Sequence, residues 1–127
     1  MLNKKFEGKN CIVTGGAGFI GSSLVEELIS SGANVKIIDN LSVGKQNVKL
    51  LTEKGAEILE CDICKYEKIK DLFINVDYVF HLAAMNRAQR SINDPVKSND
   101  INVNGTLNCL HLSYLNKVKK FIFISSS

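Results

Sequence analysis

Between a short apolar run and an amphipathic one lies the octet Thr14-Gly15-Gly16-Ala17-Gly18-Phe19-Ile20-Gly21, and few folds admit such a segment. The residues before it, Asn10–Thr14 (NCIVT), have strand character. Those after it, Gly18–Ser31, place Ile20, Leu24, Leu28 and Ile29 at helical spacing, with Gly32 as the stop. In such a strand-to-helix turn each glycine has a separate task. Gly15 allows the tight exit from the strand, Gly18 lets backbone approach a pyrophosphate, and Gly21 lets the helix pack tightly on the sheet. The free amides and dipole of the first helical turn then face the phosphates. The octet therefore predicts a dinucleotide-binding turn.

Two further features refine this reading. Gly16 to Gly21 also fits the GxxxxG of a nucleoside-triphosphate loop, but Ser22 stands where that loop needs lysine to meet the β- and γ-phosphates. Asp39 ends the second apolar run, 24 positions after Gly15. A carboxylate there accepts hydrogen bonds from both ribose hydroxyls of an adenosine and repels a 2′-phosphate. The stretch Asn40-Leu41-Ser42-Val43-Gly44 holds no arginine to welcome that phosphate, and Lys45 is the nearest cation. The predicted cofactor is NAD, not NADP.

Short apolar runs alternate with amphipathic ones along the rest of the chain. Strands are predicted at Asn10–Thr14, Asn34–Ile38, Ala56–Cys61, Asp77–Leu82 and Lys120–Ile124. Helices are predicted at Gly18–Ser31, Lys45–Lys54, Lys65–Phe73 and Val96–Asn116, the last following Asp94 and the single proline, Pro95. The fold class is α/β, a Rossmann-type doubly wound parallel sheet of five strands in one domain over residues 1–127, ending before any substrate domain. The fifth strand is bare apolar sequence at the chain end, where exposed edges are normally blunted by charge or proline. This predicts a chain cut from a longer one, and self-association through that edge.

Composition excludes other classes. With 127 residues, 45% hydrophobic, 23% charged and a net charge of +3, the chain has the balance of a soluble globular domain. Lys117, Lys119 and Lys120 form its densest basic stretch, as expected of a solvated helix end, so no nucleic-acid partner is expected. No apolar run approaches the roughly 18 residues of a membrane span, and Met1–Asn10 is charged, which predicts a cytoplasmic protein. Cys61 and Cys64 make a CxxC, but no second ligand pair accompanies them, and His81 and His111 are far apart. Cys11 and Cys109 lie in apolar segments. No metal site is expected.

The segments TGGAGFIG, DNLS, Asp62-Ile63, HLAA, NVNGT and FIFISSS, in that order, resemble the extended short-chain dehydrogenase/reductase family, and within it the nucleotide-sugar epimerases and dehydratases. Arg90-Ser91-Ile92-Asn93-Asp94-Pro95, with Ser98-Asn99 and Asn102, is similar to the UDP-sugar 4-epimerases, particularly those acting on N-acetylated sugars. The resemblance covers the whole chain, which matches the amino-terminal part of such enzymes. It implies that Gly15, Gly18, Phe19, Ile20 and Gly21 surround the pyrophosphate, and that Asp39 and Asn40 hold the adenosine ribose. Asp62 would bond the adenine amino group, although a helix cap accounts for an aspartate there equally well, with Ile63 packing on the ring. Leu82, Ala83 and Ala84 would line the far ribose and phosphate, and Asn102 would face the sheet near the nicotinamide.

The resemblance also implies a catalytic tyrosine, with a lysine four positions later, on a helix after the fifth strand. That lysine lowers the tyrosine's pKa so that it serves as a base. A serine closing the fifth strand would position the sugar hydroxyl. Ser126 fits best and Ser127 next. Tyr66 and Lys70 have the YxxxK spacing but precede the fourth strand, a chance match, and Tyr114 is followed by Val118. Arg87, in Met85–Gln89, would border the substrate or be a solvated surface charge. The predicted function is the NAD-binding part of a UDP-sugar 4-epimerase-like enzyme, homodimeric at full length and inactive as this chain alone. The alternatives are a dehydratase or reductase of the same family, or a non-catalytic NAD-binding or redox-sensing protein.

Overall fold

The structure is a computed structural model that describes residues 4–41, 45–83 and 93–124. A 3-10 turn, Lys4–Phe6, leads into β1 (Asn10–Thr14), α1 (Phe19–Ser30), β2 (Asn34–Asp39), α2 (Val48–Glu53) and β3 (Glu57–Glu60). There follow α3 (Tyr66–Ile69) with a 3-10 extension, Lys70–Phe73, and β4 (Tyr78–His81). The long helix comes in three parts: α4 (Pro95–Asn99), a π-helical stretch (Asp100–Gly105) and α5 (Thr106–Leu115). The last element is β5 (Lys120–Phe123).

The strands form one sheet in the order β3-β2-β1-β4-β5, with every pair parallel. The chain runs outward from β1 to β3, then crosses back to β4 on the other side of β1. A crevice opens at the carboxyl ends of strands where such a reversal occurs. Register places Thr14 of β1 between Ile38 of β2 and His81 of β4.

Strand alternation divides the core. Cys11, Val13, Val35, Ile37, Tyr78 and Phe80 face Val25 and Leu28 of α1 and Leu51 of α2. Ile12, Ile38 and Val79 face Ile69, Phe73, Cys109 and Leu112 on the opposite side. The sheet is thus covered on both faces, as a parallel sheet requires.

The element types follow the sequence expectations, and the differences have physical causes. Residues before Val48 make a turn, so α2 is shorter than the predicted Lys45–Lys54 helix. Asp94 caps the long helix through Oδ1, which accepts the Lys97 amide at 3.0 Å, and Pro95 occupies its first turn. The π-helical stretch was not expected. It lies where a Cβ on Gly105 would stand 2.6 Å from Ile63 Cδ1. The helix there meets the turn after β3, and Asn108 Nδ2 donates to the Ile63 carbonyl at 2.9 Å.

Candidate functional site: the crevice at the carboxyl ends of β1, β2 and β4

The glycine turn leaves β1 with Gly15 at φ +72°, where side chains are strained. A Cβ on Gly15 would also lie 2.8 Å from the Ala83 amide nitrogen. Backbone from the β1 exit and the β4 exit therefore touch. Gly21 fits for a different reason from the one expected. Its absent Cβ would collide with the Gly15 carbonyl oxygen and approach Gly16 Cα to 2.8 Å, so at Gly21 the close approach is of helix to loop backbone, while Val25 and Leu28 make the contact with the sheet. Gly18 stands apart. Its φ of −76° suits any residue, and a Cβ there would meet nothing closer than the Gly15 carbonyl oxygen at 3.4 Å. Nothing among the described residues requires a glycine at position 18.

Helix α1 begins at this point with Gly18 as N-cap and no side-chain cap. Its first amides lack intrahelical acceptors by geometry, and the next two side chains, Phe19 and Ile20, are exposed. An uncapped first turn with a bare approach is an anion-accepting arrangement.

Asp39 holds this turn in place. The residue is 5% exposed. Its Oδ2 accepts the Ala17 amide at 3.0 Å and its Oδ1 accepts the Leu41 amide at 2.7 Å. The carboxylate thus sits against the glycine turn at the end of β2, and each oxygen retains a lone pair for a ribose hydroxyl. Asn47, beside the start of α2, donates from Nδ2 to the Ala17 carbonyl at 3.1 Å. Ala17 is therefore held through both backbone groups.

The β4 exit is organised by Thr14, which is fully buried. Its Oγ1 lies 3.1 Å from the amides of both Leu82 and Ala83, which donate to it, and 2.8 Å from His81 Nδ1. His81 Nε2 lies 2.8 Å from Thr106 Oγ1, which donates to the Asn102 carbonyl at 2.8 Å. Phe121 and Phe123 of β5 stack on the imidazole, each with its ring centroid 5.7 Å away. Burial in this surrounding lowers the His81 pKa from 6.5 to about 4.

The profile of the NAD dependent epimerase/dehydratase family matches residues 11–127. The chain belongs to that family. It is 40% identical over 120 residues to a putative UDP-glucose 4-epimerase of Methanocaldococcus jannaschii, covering 91% of this chain and 37% of that protein. The UDP-N-acetylglucosamine 4-epimerase of Methanobrevibacter ruminantium, solved with UDP-N-acetylmuramic acid, superposes with a TM-score of 0.87 at 38% identity. That match covers 95% of this chain and 39% of the other. The Thermus thermophilus UDP-glucose 4-epimerase, solved with NAD, gives a TM-score of 0.83 at 35% identity, covering 92% and 37%. The chain thus spans a little over a third of the length of these relatives.

In this epimerase/dehydratase-family chain, Gly15, Gly18, Phe19, Ile20 and Gly21 lie on the β1–α1 turn and the start of α1, Asp39 bonds that turn through the Ala17 amide, and Asn40 is exposed next to Asp39. Asp62 lies half-buried past β3. Its Oδ1 accepts the Cys64 amide at 2.9 Å and its carbonyl accepts the Lys65 amide at 3.0 Å, so it shapes the turn before α3. Ile63 is 5% exposed, with Cδ1 and Cγ1 toward Gly105. Leu82, Ala83 and Asn102 are half-buried around the Thr14–His81 pair. Ala84, Arg87, Ser126 and Ser127 lie outside the described residues.

Three contributors escaped the sequence reading: Asn47, His81 with Thr14, and Gly105. Each acts through a partner far along the chain. Tyr66 and Lys70, the chance YxxxK, are used elsewhere: Tyr66 lies against His111, and Lys70 pairs with Glu67 at 2.9 Å. The thiols of Cys11, Cys64 and Cys109 are all pushed up to about 12, first by burial, so none is a thiolate near neutral pH. Among the described residues no cluster of three His, Cys, Asp or Glu could hold a metal ion. A depression of about 510 Å³ opens at the amino ends of β1 and β2, remote from the glycine turn. Three of its polar side chains are engaged: Asn10 Nδ2 donates to the Asn75 carbonyl, Asn34 Nδ2 to Asn10 Oδ1, and Lys36 Nζ to the Leu72 carbonyl.

Proposed function

We propose that this chain is the NAD-binding domain of a nucleotide-sugar epimerase of the UDP-sugar 4-epimerase kind. The observation that carries the reading is the pairing of an unobstructed Gly18 at the uncapped start of α1 with Asp39 fastened to the same turn. The first turn of α1 would hold the pyrophosphate on backbone amides, with Gly15 and Gly21 setting its shape. Asp39 and Asn40 would take the adenosine ribose, and the Asp39 carboxylate would repel a 2′-phosphate. Asp62 would meet the adenine and Ile63 its edge. Leu82, Ala83 and Ala84, with Asn102, would border the nicotinamide half.

NAD bound there would supply reversible hydride acceptance for a sugar carbon. Ser126, or Ser127 next to it, would hold the sugar hydroxyl. The base would be a tyrosine with a lysine four positions on, beyond the residues of this chain, so this chain by itself would not turn over a UDP-sugar. Val103, Leu107, Leu110 and Tyr114 form an exposed apolar stripe along the long helix, which supports a homodimer built on that helix in the full-length enzyme. Among the described residues no helix is long and apolar enough to cross a membrane, in keeping with a cytoplasmic enzyme.

Calorimetric titration with NAD and NADP tests the cofactor assignment. Binding of NAD, weak or no binding of NADP, and loss of the preference in Asp39→Ala are the expected results. Equal affinity for the two cofactors would overturn the role given to Asp39.

A further inference from the structure

The hydrogen bonds around His81 determine its tautomer. Thr14 Oγ1 accepts the Ala83 amide and shares the Leu82 amide with its own carbonyl. The hydroxyl proton therefore goes to His81 Nδ1, which must be bare. On the other side Thr106 donates its proton to the Asn102 carbonyl, a group that only accepts. Its oxygen must then receive a proton from His81 Nε2. All the directions agree on one neutral imidazole, with its proton on Nε2. Its neighbours Thr14, Thr106, Phe121 and Phe123, from β1, the long helix and β5, carry no charge.

This chain of bonds joins three segments that sequence places far apart. Thr14 precedes the glycine turn, His81 closes β4 ahead of Leu82 and Ala83, and Thr106 follows the π-helical stretch that carries Asn102. The same stretch rests on Ile63 through Gly105, and Asn108 bonds the Ile63 carbonyl. The turn after β3 and the β4 exit are thus tied to one piece of helix.

We propose that His81 is a positioning residue for the cofactor: through Thr14 on one side and Thr106 on the other, it sets the β4 exit and the Asn102 turn relative to the glycine turn. Thr106 follows the π-helical stretch directly, and its hydroxyl links the imidazole to the Asn102 carbonyl within that stretch. Such local departures from α geometry recur at functional sites. The role rests on the NAD reading above, and its test separates the two.

The variants remove one arm at a time. His81→Asn keeps an acceptor near Thr14 and loses the reach to Thr106. Thr106→Val leaves the ring in place and strands its Nε2 proton, and Thr106→Ser restores the hydroxyl. NAD dissociation constants are measured by calorimetry, with far-ultraviolet circular dichroism and melting as checks on folding. The stranded Nε2 proton lowers the stability of free and bound protein alike, and the loosened β4 exit and Asn102 turn should raise the NAD dissociation constant severalfold in Thr106→Val. Thr106→Ser should return to within about twofold of wild type, and His81→Asn/Thr106→Val should be no worse than His81→Asn. Long-range proton–nitrogen correlation should find Nδ1 bare and Nε2 protonated down to about pH 5.

Folded variants that bind NAD as wild type does would overturn the positioning role and leave the cofactor reading standing. A protonated Nδ1 would overturn it also. A wild-type chain that binds no NAD would overturn both, and the imidazole signals would still show whether the bond directions are correct. Should His81→Asn fail to fold, the Thr106 pair decides.

Discussion

Replacing Gly18 by alanine should separate folding from binding. The backbone there, φ −76° and ψ −177°, is ordinary extended chain, and the new methyl would touch nothing closer than 3.4 Å. Removing a glycine from a compatible position restrains the unfolded chain and stabilises by about 0.4–1 kcal/mol. The same methyl projects into the space assigned to the pyrophosphate. A methylene forced into a fitted contact costs about 1–3 kcal/mol, which is about a five- to 150-fold rise in the NAD dissociation constant. Gly21→Ala is the control with the opposite profile. Its Cβ would overlap the Gly15 carbonyl oxygen and stand 2.8 Å from Gly16 Cα, so the turn must move and stability must fall. Denaturant unfolding beside calorimetric titration reads both quantities. A Gly18→Ala protein that is folded and binds NAD with wild-type affinity would refute the assignment of that open space to the cofactor.

Other consequences follow from the same contacts. The folded chain keeps His81 neutral down to about pH 4, whereas the unfolded chain takes up that proton from 6.5 downward. The unfolded state then binds more protons, so stability rises with pH across that window and falls by about 3 kcal/mol between its ends on acidification. Denaturant midpoints for wild type and His81→Asn should converge at low pH, and parallel curves would show that His81 is not the group responsible. Asn47→Ala removes a bond to the Ala17 carbonyl and should weaken NAD binding severalfold with little effect on melting; a large loss of stability would mean that Asn47 serves the fold instead. Leu107→Glu, on the exposed stripe of the long helix, should shift sedimentation toward monomer, and an unchanged profile would place self-association elsewhere.

Much of this architecture is legible in local sequence. NCIVT becomes β1 residue for residue, and the five strands and their helices fall where hydrophobic period changes. The glycine octet and Asp39 are recognisable because their partners are close: Asp39 bonds Ala17 across a single crossover. What escapes local reading depends on long-range register. His81 looks like an isolated histidine until β1–β4 pairing sets Thr14 beside it, 67 positions away. The apolar spacing of residues 96–116 announces a helix and says nothing of its pitch. The π-helical stretch meets Ile63, brought there from another crossover. Asn47 likewise gains its role from Ala17, 30 residues earlier. Gly21 differs from these, since its partner is local: the motif position is plain in sequence, and only the folded turn shows that the contact it relieves is with the backbone of Gly15 and Gly16.

In the proposed complex a pyrophosphate rests on the first-turn amides of α1, beside an Asp39 that anchors the turn. Backbone amide spectra recorded during titration with NAD test it most directly. The largest shifts should fall on Gly18, Phe19, Ile20 and Gly21, with Asp39 and Leu41 following. Shifts centred on the amino-end depression around Asn10 and Lys36, or none anywhere, would contradict it.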